Sequence, residues 1–131
     1  MKPIADTGLL VGFLDASDQY HGWATECLAG LHSALTTCEA VIAETEYLVP
    51  GSGPLLMQMV ERGTLHIAAL LPKEAGHLTT MMEKYPNMQF ADVCVVRLSE
   101  LLPNAVVYTT GKKDFSIYRR RGRESIKSVT P

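Results

Sequence analysis

From one end of this chain to the other, short apolar runs alternate with longer segments whose apolar residues recur at helical spacing. That alternation is the mark of βα units wound into a parallel sheet, because parallel neighbours need a crossover long enough to hold a helix. The short runs fall at residues 2–5, 34–37, 65–70 and 105–109, the last of them (AVVYT) suited to a strand buried on both faces. Between them, helices are predicted at 7–14, 22–32, 38–49, around 55–60, 75–85 and 90–102. Trp23, Ala24, Cys27, Leu28 and Leu31 share one face of the second; Gly63, Pro86 and the Pro50-Gly51 pair act as stops. Segment 38–49 has apolar residues on nearly every side of its acids and is predicted to be a buried helix, with Met81 and Met82 as core filler. Beyond residue 110 the expectation is a loop, a short helical turn and an edge strand near 125–129. The fold expected is α/β: one domain over residues 1–131, a three-layer sandwich with a central parallel sheet of four to five short strands flanked by helices.

At 131 residues and 47% apolar content, such a domain buries roughly two thirds of its unfolded surface and needs no staples. Cys27, Cys38 and Cys94 are odd in number, lack CxxC spacing and sit in apolar stretches, which favours free thiols in a reducing cytoplasm. No apolar run approaches the roughly 20 residues of a membrane span, and Asp6 interrupts the start of an N-terminus that reads as folded protein rather than a signal. The net charge of −2 hides a segregation: residues 1–111 hold 5 Lys+Arg against 12 Asp+Glu, and residues 112–127 hold 7 against 2. A basic run that includes Phe115 and Tyr118 suits a phosphate backbone, and equally a solubilising tail or a protein contact.

Three carboxylates stand where a surface charge is unexpected. Asp6 follows the first strand, at the end of a parallel sheet where ligand crevices form; Glu44 lies mid-helix among Ala40, Val41, Tyr47 and Leu48; Asp92 opens an apolar helix in FADVCVV. Buried carboxylates need cations, hydrogen bonds or protons, and a divalent ion satisfies several at once. Mg²⁺ or Mn²⁺ takes oxygen ligands and suits phosphodiester hydrolysis. Each acid also has a plainer reading: Asp6 and Asp92 as N-caps or helix-dipole partners, and Glu44 as indistinguishable by periodicity from Glu46.

The order and context of these acids resemble the PIN-domain family, and its VapC-type toxins in particular, over nearly the whole chain. ADTGLLVGFLDASDQYH is similar to the family's opening strand, Asp-Thr and apolar helix; LTTCEAVIAETEYLV to its threonine pair and helix with an internal Glu; FADVCVVRLSELL to its Ala-Asp helix start; VVYTTGKKDFSIYR to its strand, Thr, and acidic loop. The resemblance implies a metal-dependent endoribonuclease, a hydrolase acting on single-stranded RNA with Mg²⁺ or Mn²⁺, a cognate antitoxin and a homodimer. It implies Asp6, Glu44 and Asp92 as the acidic core, Asp6 and Asp92 as metal ligands, and Thr7 and Thr109 as hydroxyls that steady them. The family's fourth motif commonly carries an acid two residues after the Thr matched by Thr109, where this chain has Gly111; Asp114 is the candidate replacement. Lys112, Lys113, Arg119 and Arg120 follow that motif and are candidates to steer RNA. The glycine also motivates the alternative of a catalytically weakened PIN-fold module that binds RNA or protein, and an α/β phosphatase with the same crevice is a third reading. His21 reads as a helix-start residue, His32, His66 and His77 share no metal-ligand spacing, and Trp23 is a core or interface anchor.

Overall fold

The computed structural model describes residues 1–131. Strands β1 (Lys2–Ala5), β2 (Leu35–Cys38), β3 (Leu65–Ala68), β4 (Ala105–Tyr108) and β7 (Ser128–Val129) form one all-parallel sheet in the order β3-β2-β1-β4-β7. Helices α1 (Thr7–Leu14), α2 (His21–Ala29), α3 (Glu39–Leu48), α4 (Gly53–Glu61), α5 (Leu71–Lys84), α6 (Phe90–Leu101) and α7 (Lys112–Ile117) fill the connections. The predicted α/β class, with a parallel sheet flanked by helices, is thus present, and the edge strand near the C-terminus is β7. A two-stranded antiparallel ribbon, β5 (Arg119–Arg120) with β6 (Glu124–Ser125), was not foreseen. Arg121 (φ 52) and Gly122 (φ 76) close it in left-handed backbone, with the Arg123 amide donating to the Arg120 carbonyl, the geometry of a type I′ hairpin turn.

Burial corrects one helix. Segment 38–49 was expected to be buried, yet only Val41 and Thr45 of α3 are, while Tyr47 and Leu48 are 73% and 57% exposed. The buried helix is α6, which lies against β2 and β4 with α3 and α5 beside it and encloses Val93, Val95, Val96 and Leu98 on several faces. Each such side chain contributes about 1.5–3 kcal/mol when removed from water. The two methionines part likewise: Met81 is core, and Met82 is 42% exposed.

The strand order places a switch point beside β1. From β1 the chain winds outward through β2 to β3, then returns through α5 and α6 to pair β4 on the other side of β1. At such a point the carboxyl ends of neighbouring strands feed diverging connections and leave a crevice. No helix is long and apolar enough to cross a membrane.

Candidate active site

The crevice is built from the register of β1 and β4. Ala5 lies opposite Tyr108, so the next residue of each strand, Asp6 and Thr109, leaves the sheet at the same level. The Asp6 amide donates to the Tyr108 carbonyl at 3.0 Å, and the Thr109 hydroxyl donates to Asp6 Oδ2 at 2.6 Å. Thr109 Oγ1 also accepts the Gly111 amide at 2.9 Å, fixing the start of the following loop. Asp6 occupies the N-cap position of α1 but makes no side-chain capping bond; its carboxylate is committed to Thr109.

Asp6, Glu44, Asp92 and Asp114 all line one cavity of about 490 Å³, together with Thr7, Gly111 and Tyr118. Asp92 sits in the first turn of α6, where its Oδ2 accepts the Tyr118 hydroxyl at 2.7 Å. Glu44 reaches the cavity from α3, whereas Glu46 is exposed, which separates the two acids that periodicity left equivalent. Asp114 comes from the first turn of α7 and lines the same cavity, close enough for its charge to act on Asp92.

The electrostatics follow from this convergence. Burial pushes the Asp6 carboxyl up to about 6, against the Thr109 hydrogen bond, and the charges of Asp92 and Glu44 push the same way. Asp92 is raised by burial too, countered by the Tyr118 hydroxyl and reinforced by Asp114 and Glu44. The ion pairs of the chain lie elsewhere, on Glu74, Glu100 and Glu124, so no Lys or Arg neutralises these four acids. The donors are all oxygen, and no three His, Cys, Asp or Glu side chains converge as a ready-made metal cluster.

Several expected residues land differently. Thr7 is buried at the site, but its Oγ1 has no hydrogen-bond partner rather than holding a carboxylate. Arg119 and Arg120 do not line the cavity: Arg119 Nη1 donates to the carbonyls of Ser116, Ile117 and Tyr118 at 2.8, 3.1 and 3.0 Å, capping the end of α7, and Arg120 Nη1 reaches Glu124 at 3.4 Å across the hairpin. Lys112 and Lys113 are exposed beside Gly111. His21 has Nδ1 2.8 Å from the Gly12 carbonyl and so ties α2 to α1. Two lining residues were missed. Tyr118 is expected from the sequence only as part of the basic run and not as a partner of Asp92; Asp18 lies in a polar turn, and its Oδ2 accepts the Tyr20 amide at 2.9 Å.

No family model matches the chain. It is 25% identical over 126 residues to Ribonuclease VapC26 of Mycobacterium tuberculosis, covering 91% of this chain and 93% of that one. The crystal structure of VapBC2 from Rickettsia felis, bound to a DNA fragment from their promoter, superposes with a TM-score of 0.62 at 18% identity, over 100% of this chain and 99% of that chain. The chain is thus similar to a VapC ribonuclease in sequence along nearly its whole length, and it shares the fold of the VapBC2 structure along all of it.

Proposed function

We propose that this chain is an endoribonuclease, hydrolysing RNA phosphodiesters with Mg²⁺ or Mn²⁺, and the toxin of a toxin–antitoxin pair. The observation that carries the reading is the meeting of Asp6, Glu44, Asp92 and Asp114 on one cavity with no protein cation among them. Likeness to a relative named as a ribonuclease supports RNA as the substrate.

The residues present fit a hard divalent ion. Asp6 and Asp92 supply two carboxylates, which is as many as Mg²⁺ commonly takes from protein, with waters and phosphate oxygens completing the shell. The orphaned hydroxyl of buried Thr7 beside them is a natural partner for one such water. When bound, the ion supplies an acidified water and neutralises charge on the phosphate. The chain's own part is positional. Thr109 fixes Asp6, and Tyr118 fixes Asp92. Glu44 orients the attacking water and accepts its proton, while Asp114 provides the acid that Gly111 cannot. Lys112 and Lys113, exposed next to the crevice, attract the phosphate backbone.

The partner follows from the same surface. An antitoxin segment carrying a basic side chain would neutralise the acid cavity, and a solved VapBC2 structure with this fold supports such a partner. Tyr47, Leu48, Leu55 and Met57 leave α3 and α4 with an exposed apolar face suited to a homodimer or to that antitoxin. Three unpaired cysteines are in keeping with the cytoplasm.

The test is cleavage of mixed single-stranded and structured RNA by partner-free protein, with Mn²⁺, Mg²⁺ or chelator, beside Asp92→Asn. Ion-dependent cutting that disappears in the variant is expected. A parent protein that binds RNA equally well with chelator and never cuts it would replace the nuclease with a binding module.

A further inference from the structure

A second cavity, of about 400 Å³, adjoins the acidic one and shares Asn87, Asp114 and Tyr118 with it. Its character differs. Tyr85, Pro86, Met88 and Ile117 give it aromatic and aliphatic walls, and Ile117 is 63% exposed with nothing packed over it. Lys84 and Arg119 bring positive charge to the same rim, and Lys84 Nζ lies 5.3 Å from the centre of the Tyr85 ring without an ion pair of its own. Flat apolar walls, one side-chain amide and a cationic edge are what an unstacked nucleobase and its flanking phosphate require. The volume lies within the range of small-ligand clefts, roughly 300–1,000 Å³.

We infer that this cavity is a nucleobase subsite, seating the base of a nucleotide next to the scissile phosphate. The link between the two cavities is Tyr118. Its hydroxyl is held on Asp92, and its ring stands edge-on to buried Phe115 at 5.1 Å between centroids, so the side chain forms a fixed partition. A base against the outer side of that partition leaves its phosphate at the acids on the inner side. Asn87 offers an amide able to pair with a base edge, which makes the pocket a place where sequence preference is set. The inference rests on the nuclease reading for its substrate, and the subsite stands apart from catalysis in how it is tested.

The first arm needs no activity. Amide shifts of the protein are followed while AMP, CMP, GMP, UMP or ribose 5-phosphate is added. Shifts at residues 84–88 and 117–119 with nucleotides but not with the sugar phosphate are expected; the same shifts with ribose 5-phosphate, or none with any nucleotide, would overturn the subsite. The second arm measures RNA cleavage by Tyr85→Ala and Ile117→Ala. Lost stacking should raise KM about 5- to 30-fold with little change in kcat. Ile117 is exposed, so its replacement leaves folding intact. Unchanged KM and cleavage pattern in both variants would refute the subsite while leaving the nuclease in place; a parent that cuts nothing would sink the nuclease, and the nucleotide shifts would still decide the subsite.

Discussion

Replacing Asp6 by Asn should make the ion-free protein more stable at neutral pH, although it removes a residue central to the site. The carboxyl is raised from an ordinary value of 3.8 to about 6, chiefly by burial. Because the folded value lies above the unfolded one, folding favours the protonated form. The stability involved is intact below about pH 4, declines as pH rises through 6, and is gone at pH 7.5. At roughly 1.4 kcal/mol per pH unit the loss amounts to about 3 kcal/mol. Asparagine keeps an oxygen for the Thr109 hydroxyl and carries no charge, so at pH 7.5 in chelator it should recover about 1–3 kcal/mol, or on the order of 5–10 °C in Tm for a domain of this size. Guanidinium unfolding at pH 4, 5, 6 and 7.5 reads this directly: the variant's advantage should grow across the series and be near zero at pH 4. Adding Mn²⁺ at a hundredfold excess over its Kd should stabilise the parent by roughly 2.7 kcal/mol and the variant far less, closing the gap. A variant no more stable than the parent at pH 7.5, or an advantage that does not vary with pH, would show that Asp6 is not held as a destabilised charge.

Tyr118→Phe keeps the ring packed on Phe115 and removes only the donor to Asp92; Mn²⁺ half-saturation in the cleavage assay should rise about 10-fold or more, with Tm little changed. Gly111→Asp is sterically admissible, since Gly111 has φ −82 and a Cβ there lies 3.3 Å from Thr109 Oγ1 and 3.6 Å from Phe115. Titration calorimetry should find tighter Mn²⁺ binding in that variant, and lower apo stability as a sixth acid joins the cavity lining. Gly8→Ala should cost about 1–3 kcal/mol in denaturant unfolding, because a Cβ would come within 1.9 Å of Thr110 Oγ1, and Thr110→Gly in the same chain should recover most of it.

Much of this architecture was legible because short apolar runs have few alternatives to being strands, and their helical connections have room only for parallel pairing. Asp6 and Asp92 were legible by position, one just past a strand and the other at a helix start. Glu44 was not separable from Glu46, since both have apolar neighbours along α3, and only the docking of that helix turns one to the cavity and the other to solvent. The same helix was misread as buried because apolar flanks describe a segment, while burial depends on what covers it: Tyr47 and Leu48 face outward, and α6 takes the interior instead. Charge composition likewise could not tell Arg119, whose guanidinium is held on the carbonyls at the end of α7, and Arg120, paired with Glu124, from Lys112 and Lys113, which have no ion pair.

The acids come from four separate elements, yet the parts that hold them come from one. Thr109, which fixes Asp6 from 103 residues away, and Tyr118, which fixes Asp92 from 26 away, bracket a single short segment. That segment also contains Gly111 and Asp114, both of which line the cavity. Its anchor is Phe115, 2% exposed and packed edge-on against Tyr118. A chain can therefore keep Asp6, Glu44 and Asp92 in place and still lose the geometry of the site if α7 undocks. Asp114, in the first turn of α7, is tied to the same anchor as the clamp on Asp92. The competence proposed for the site therefore depends on the seating of Phe115 as much as on the number of acids.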